Sequence, residues 1–122
     1  AASIGARVTN NSNAYGFATA AIDTKYAQTR EAGMVHFASV HNDGEELITY
    51  PAILPSVNAV AAVNRYGQRP SWGNYGPGVD FAAPGDEIIT TDRTGSAGYE
   101  PGDYANGAGT SFAPPGFVRS SP

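Results

Sequence analysis

The chain contains no cysteine, which excludes a disulfide framework and any thiolate metal site, so stability must come from packing or a partner. It is also short of charge. Only 15% of its residues are charged and the net charge is -4, which leaves no basic patch for nucleic acid or an anionic membrane surface. No stretch approaches the roughly 18 apolar residues of a membrane span. Residues 1–5 lack the basic and apolar regions of a signal peptide. What the sequence has in quantity is turn-forming residues: 15 glycines and 9 prolines among 122 residues, alongside 41% hydrophobic residues. That balance describes one folded, loop-rich unit, with no internal repeat and no domain boundary.

Read in order, residues 1–5 are expected to be the end of a strand, and Thr9-Asn10-Asn11-Ser12-Asn13 a polar turn. Over residues 14–32 the positions Phe17, Ala21, Ile22 and Tyr26 keep a helical period, and Gly33 stands as a stop. Residues 34–40 and 57–63 are short apolar runs bounded by turn signals, as expected of strands buried on both faces of a parallel sheet. Residues 79–83 and 88–91 predict two brief strands separated by Pro84-Gly85-Asp86, and residues 94–107 predict a loop. Strands alternating with helix point to an α/β fold.

The stretch with most chemistry is Asn106-Gly107-Ala108-Gly109-Thr110-Ser111-Phe112-Ala113-Pro114-Pro115. Its glycines suit a sharp turn, Thr110 and Ser111 suit a helix cap, and the prolines suit a first helical turn, where a missing N–H costs little. A serine there lies beside free backbone N–H groups at the positive end of a helix, which favours a nucleophile whose reaction develops an oxyanion.

Gly109-Thr110-Ser111-Phe112-Ala113 followed by Pro115 resembles the signature around the catalytic serine of subtilisin-like serine peptidases. Ala38-Ser39-Val40-His41-Asn42-Asp43-Gly44 is similar to the family's oxyanion segment. Tyr50-Pro51-Ala52, Pro55-Ser56-Val57, Ala59-Val60-Ala61-Ala62-Val63 and the run from Asn74 to Gly85 also match family blocks, in order along the chain.

The resemblance implies a three-layer subtilisin-like α/β fold with a mainly parallel sheet, represented over residues 1–122 by its C-terminal part. It implies a serine endopeptidase with Ser111 as nucleophile and Asn42 as oxyanion donor. Extended substrate is then expected along Ser3, Ile4 and Gly5, with Val40, His41 and Thr49 around the side-chain pocket. The matching family dipeptide makes Tyr50-Pro51 a candidate cis bond. A secreted location, a peptide or protein substrate and no cofactor follow from the same resemblance. A structural calcium occurs in many members, but no site for one is identifiable, and Asp43, Glu45 and Glu46 read as a solvated loop.

The sequence departs from the family in informative ways. The family's aspartate and histidine motifs precede the strand with which this chain opens, so the general base is expected from a missing N-terminal part, and the chain alone is expected to be inactive. The alternative is an inactive remnant or a peptide-binding α/β module. His36 reads as a hydrogen-bonded core histidine, whereas His41 replaces a glycine beside the specificity pocket and is expected to narrow it. Asn58 interrupts an apolar strand and needs a partner.

Overall fold

The structure, a computed structural model, describes residues 1–120, with side chains through residue 116. Its centre is built from small and β-branched residues: β2 (Val35–Ser39) and β3 (Asn58–Val63) are flanked by β1 (Val8–Asn11) and β4 (Phe81–Pro84) in the order β1-β2-β3-β4, every pair parallel. Side chains of a strand alternate between its faces, and both faces are covered. On one, Ala38, Val40, Ala59 and Ala61 pack with Ile48, Ala52, Val57 and Tyr26 of α1 (Ala20–Glu31). On the other, Phe37, Val60 and Ala83 pack with Ala113, the first residue of α2 (Ala113–Ser120). Val40 and Val60 are fully enclosed, a burial that stabilises by roughly 1.5–3 kcal/mol for each such side chain. The result is the expected three-layer α/β arrangement.

Asn58, the polar interruption of β3, is accommodated because its Nδ2 donates to the His36 carbonyl at 2.8 Å. His36 is itself a buried, paired side chain, with Thr9 Oγ1 2.6 Å from Nδ1 and Thr29 Oγ1 2.9 Å from Nε2. Tyr26 meets its ring edge-on. Burial, and secondly the charge of Arg30, hold the imidazole below its ordinary value of 6.5.

Several elements differ from the sequence-based expectation. The helix begins at residue 20 rather than 14, because Thr19 takes an extended conformation and its hydroxyl accepts from the Ile22 N–H, the geometry of an N-cap. Gly33, at φ 90°, follows it as anticipated. Residues 1–5 are not a strand end. Ala2–Ile4 is a single 3-10 turn closed by Gly5 in the left-handed region, and the parallel ladder starts only at Val8. The polar run from Thr9 to Asn11 is therefore strand, not turn: a polar edge is tolerated where one side of the strand has no neighbour, as here among the described residues.

Within the region expected to be loop, Tyr104–Gly107 forms β6, antiparallel to β5 (Ile88–Thr91). Asp92 organises the intervening loop. Its carboxylate accepts N–H groups from Arg93, Tyr99 and Glu100, and these bonds hold it below the usual carboxylate range. The short helix expected after Ser111 is α2, while Ser121 and Pro122, which close the sequence, lie outside the described residues.

Candidate functional site

The site sits where the carboxyl ends of the parallel strands meet the start of α2, the position at which open α/β sheets expose their loops. Two segments far apart in sequence converge there, His41-Asn42 after β2 and Gly109-Thr110-Ser111 before α2. Thr110 joins them in both directions. Its N–H donates to Asn42 Oδ1 at 2.9 Å, and its own Oγ1 accepts the His41 N–H at 3.1 Å. Thr110 is buried and Ser111 is exposed, so the staple lies beneath the surface and the serine lies on it.

This staple decides the orientation of the Asn42 amide. Because a backbone N–H faces it, the atom opposite Thr110 must be the oxygen, and the other terminus must be the NH₂ group. Neither Asn42 Nδ2 nor the Ser111 N–H has an acceptor among the described residues. Both border the space left by the missing side chain of Gly109: a Cβ there would stand 3.5 Å from Asn42 Nδ2 and 3.8 Å from Ser111 N. Two free donors thus face one small gap beside an exposed serine, an arrangement able to receive a developing negative charge on oxygen.

The turn that carries Ser111 is fixed from below. Gly109 N–H donates to the Gly85 carbonyl at 2.8 Å, and Gly85 N–H to that of Val63 at 3.0 Å. A Cβ on Gly85 would fall 2.7 Å from Ala62 Cβ and 2.9 Å from Gly109 O, so only glycine allows the β4 end to touch this turn. The Phe112 ring fills the space beside Gly107, where a Cβ would meet it at 2.7 Å, and so seats the β5–β6 hairpin against the same turn. Among the described residues, no histidine or carboxylate is hydrogen-bonded to the Ser111 hydroxyl.

The remaining sequence-based candidates distribute unevenly. His41 takes a left-handed φ of 79°, which explains why glycine suits the position, and its buried Nε2 has no partner among the described residues. Thr49 precedes the Tyr50-Pro51 peptide, which is cis as expected, and its buried hydroxyl is likewise unpartnered among them. Val40 is enclosed in the core on the α1 side of the sheet, and its N–H donates to the Val60 carbonyl at 3.3 Å. Ser3, Ile4 and Gly5 are bonded to neither Ser111 nor Asn42.

The strand end that reaches the serine is one the sequence reading missed: Ser12, directly after β1, donates its hydroxyl to the Ser111 carbonyl at 3.1 Å. The signal available was the run Val8-Thr9-Asn10-Asn11-Ser12, a possible strand obscured by its polarity. Asn74 was missed as well, although it lay inside a matched block. Among the described residues, no cluster of three or more His, Cys, Asp or Glu side chains is arranged to hold a metal ion.

Comparison with known proteins is consistent with this geometry. A sequence model described as the subtilase family matches residues 1–116. A thermophilic serine proteinase of Bacillus sp. (strain AK1) is 36% identical over 115 residues, which are 94% of this chain and 27% of that protein. The minor extracellular protease Epr of Bacillus subtilis (strain 168) is 40% identical over 86 residues, 70% of this chain and 12% of that one. The solved structure of the prenylagaramide maturation protease PagA superposes with a TM-score of 0.77 at 30% identity, covering 93% of this chain and 41% of its own. The chain thus spans less than a third of the length of these two curated relatives.

Proposed function

The chain belongs to the subtilase family, and from that premise we propose that it is the C-terminal part of a serine endopeptidase catalytic domain, supplying nucleophile and oxyanion hole. In this reading Ser111 Oγ attacks the carbonyl carbon of a peptide bond, and the carbonyl oxygen, becoming an oxyanion, accepts hydrogen bonds from Asn42 Nδ2 and the Ser111 N–H. Collapse of the intermediate expels the amine and leaves an acyl group on Ser111, which water then hydrolyses. The single observation that carries the reading is the Thr110 N–H bond to Asn42 Oδ1, because it turns the amide donor toward the serine.

The Ser111 proton needs a base. His36 has both ring nitrogens engaged by Thr9 and Thr29, and His41 is not bonded to the serine, so the base and its carboxylate come from the remaining part of the domain. The chain alone is then inactive, and that lack of a bonded base is what favours the second reading, an inactive remnant or a peptide-binding module. The rest of the domain fits along β1. Among the described residues one edge of that strand is open, α1 contributes no fully buried residue, and a groove of about 910 Å³ runs between them.

The substrate is an extended peptide or protein segment passing the end of β1 at Ser12. His41 narrows the side-chain pocket, no cofactor takes part, and a secreted location accords with a relative named as extracellular. In a complete domain, Asn42→Ala is expected to lower kcat about 10²–10³-fold with little change in KM, a magnitude known from a subtilisin rather than derived from this geometry. Unchanged kcat would remove Asn42 from the mechanism.

A further inference from the structure

Asn42 carries one of the two donors, yet it lies on an exposed loop, where a donor's aim is easily lost. Besides the Thr110 staple, the loop is held by one buried residue. Asn74 is completely buried, and its groups reach both peptide planes that flank Asn42. Its backbone N–H donates to the His41 carbonyl at 3.0 Å, fixing the peptide before Asn42. Its side-chain Oδ1 accepts the Asp43 N–H at 2.7 Å, fixing the peptide after it, and also the Glu45 N–H at 3.3 Å. Its Nδ2 donates to Asp43 Oδ2 at 3.0 Å, so each polar atom of the Asn74 amide is bonded within the same loop.

We propose that Asn74 is the positioning residue for the Asn42 amide. With both flanking peptides clamped, Asn42 keeps only its side-chain torsions, and the Thr110 N–H fixes those. The functional weight of the inference rests on Asn42 acting as an oxyanion donor, where a misplacement of about 1 Å costs on the order of 10²-fold in rate. The geometric claim stands apart from catalysis.

Asn74→Asp separates the two. It retains the acceptor that holds Asp43 N–H but sets a carboxylate oxygen against Asp43 Oδ2, so the clamp opens. Adding Asp43→Asn restores a donor and an acceptor in swapped order. In the 122-residue chain, amide exchange at Thr110 is expected to rise at least tenfold in Asn74→Asp relative to the β3 amides, and to return on adding Asp43→Asn. Should Asn74→Asp fail to fold, Asn74→Ser, too short to reach both Asp43 groups, provides the comparison of Thr110 with the β3 amides, without the rescue arm. Exchange at Thr110 that changes only in step with the β3 amides, or is not rescued, would overturn the proposal.

In a complete domain the same variants are expected to lower and restore kcat at constant KM. Altered Thr110 exchange with unaltered kcat would keep Asn74 as the anchor of Asn42 and contradict the oxyanion role instead.

Discussion

Around Asn42 and Ser111, hydrogen bonds join residues 31, 68 and 69 positions apart in sequence, and glycine is enforced where the β4 end meets the serine turn. Along β1 and α1 the picture is different: α1 has no fully buried residue, Val8 and Val35 are 42% and 41% exposed, and an open groove borders the strand. Parallel sheets are ordinarily covered on both faces, and an uncovered edge strand is open to further pairing. The contrast separates a region whose hydrogen bonds close within this chain from an open flank, the one along which the proposed function sets the rest of the domain. Under the proposed function, the donors at the site are organised without the base.

The comparison is broken most severely by filling the glycine contact beneath the serine. Gly85→Ala places a methyl group against Ala62 and the Gly109 carbonyl, and is expected to cost about 3 kcal/mol in chemical denaturation. A loss under about 1 kcal/mol would mean that the serine turn is not pinned there. A smaller effect is expected on the open flank, through His36. Its imidazole is held below 6.5 by burial and by Arg30, so the neutral form is the one the fold prefers. The stability it contributes is complete above pH 6.5 and is lost as pH falls from there through the lowered value. Urea midpoints measured from pH 7.5 to 5 should decline over that window in the parent and flatten in His36→Gln; parallel profiles would contradict it.

Smallest of all is the Arg65–Glu87 ion pair between the turn after β3 and the start of β5, with side chains 63% and 51% exposed. Arg65→Ala should shift stability by no more than about 0.5 kcal/mol. A larger loss would show that the surface turns, and not only the buried contacts, hold the site end together.

Much of this was legible in the residues. The central strands announced themselves as Val- and Ala-rich runs between turn signals, Gly33 marked a helix end, and Gly109-Thr110-Ser111 marked the turn into α2 on which the candidate site is built. What was hidden has a common cause. β1 is an edge strand whose Thr9, Asn10 and Asn11 carry the composition of a turn, and only pairing with Val35, His36, Phe37 and Ala38 makes it a strand. Taking the strand to end at Ser3-Ile4-Gly5 instead left Ser12, at the actual end of β1 and bonded to the Ser111 carbonyl, unrecognised. β6 was hidden similarly, since Tyr104-Ala105-Asn106-Gly107 becomes extended through its antiparallel partner β5. Asn74 lay in a recognised block, but a buried amide bridging two loops leaves no local pattern, because its partners are set by tertiary contact.

The central claim is that Ser111 is a nucleophile whose surroundings are built here and whose base is supplied from elsewhere. Reaction with a fluorophosphonate probe, followed by mass-spectrometric mapping of the labelled residue, tests it directly. The expected result is labelling of Ser111 when the chain is combined with the aspartate- and histidine-bearing part of its catalytic domain, and none on the chain alone. Labelling at another residue, or no labelling of the combined protein, would contradict the account.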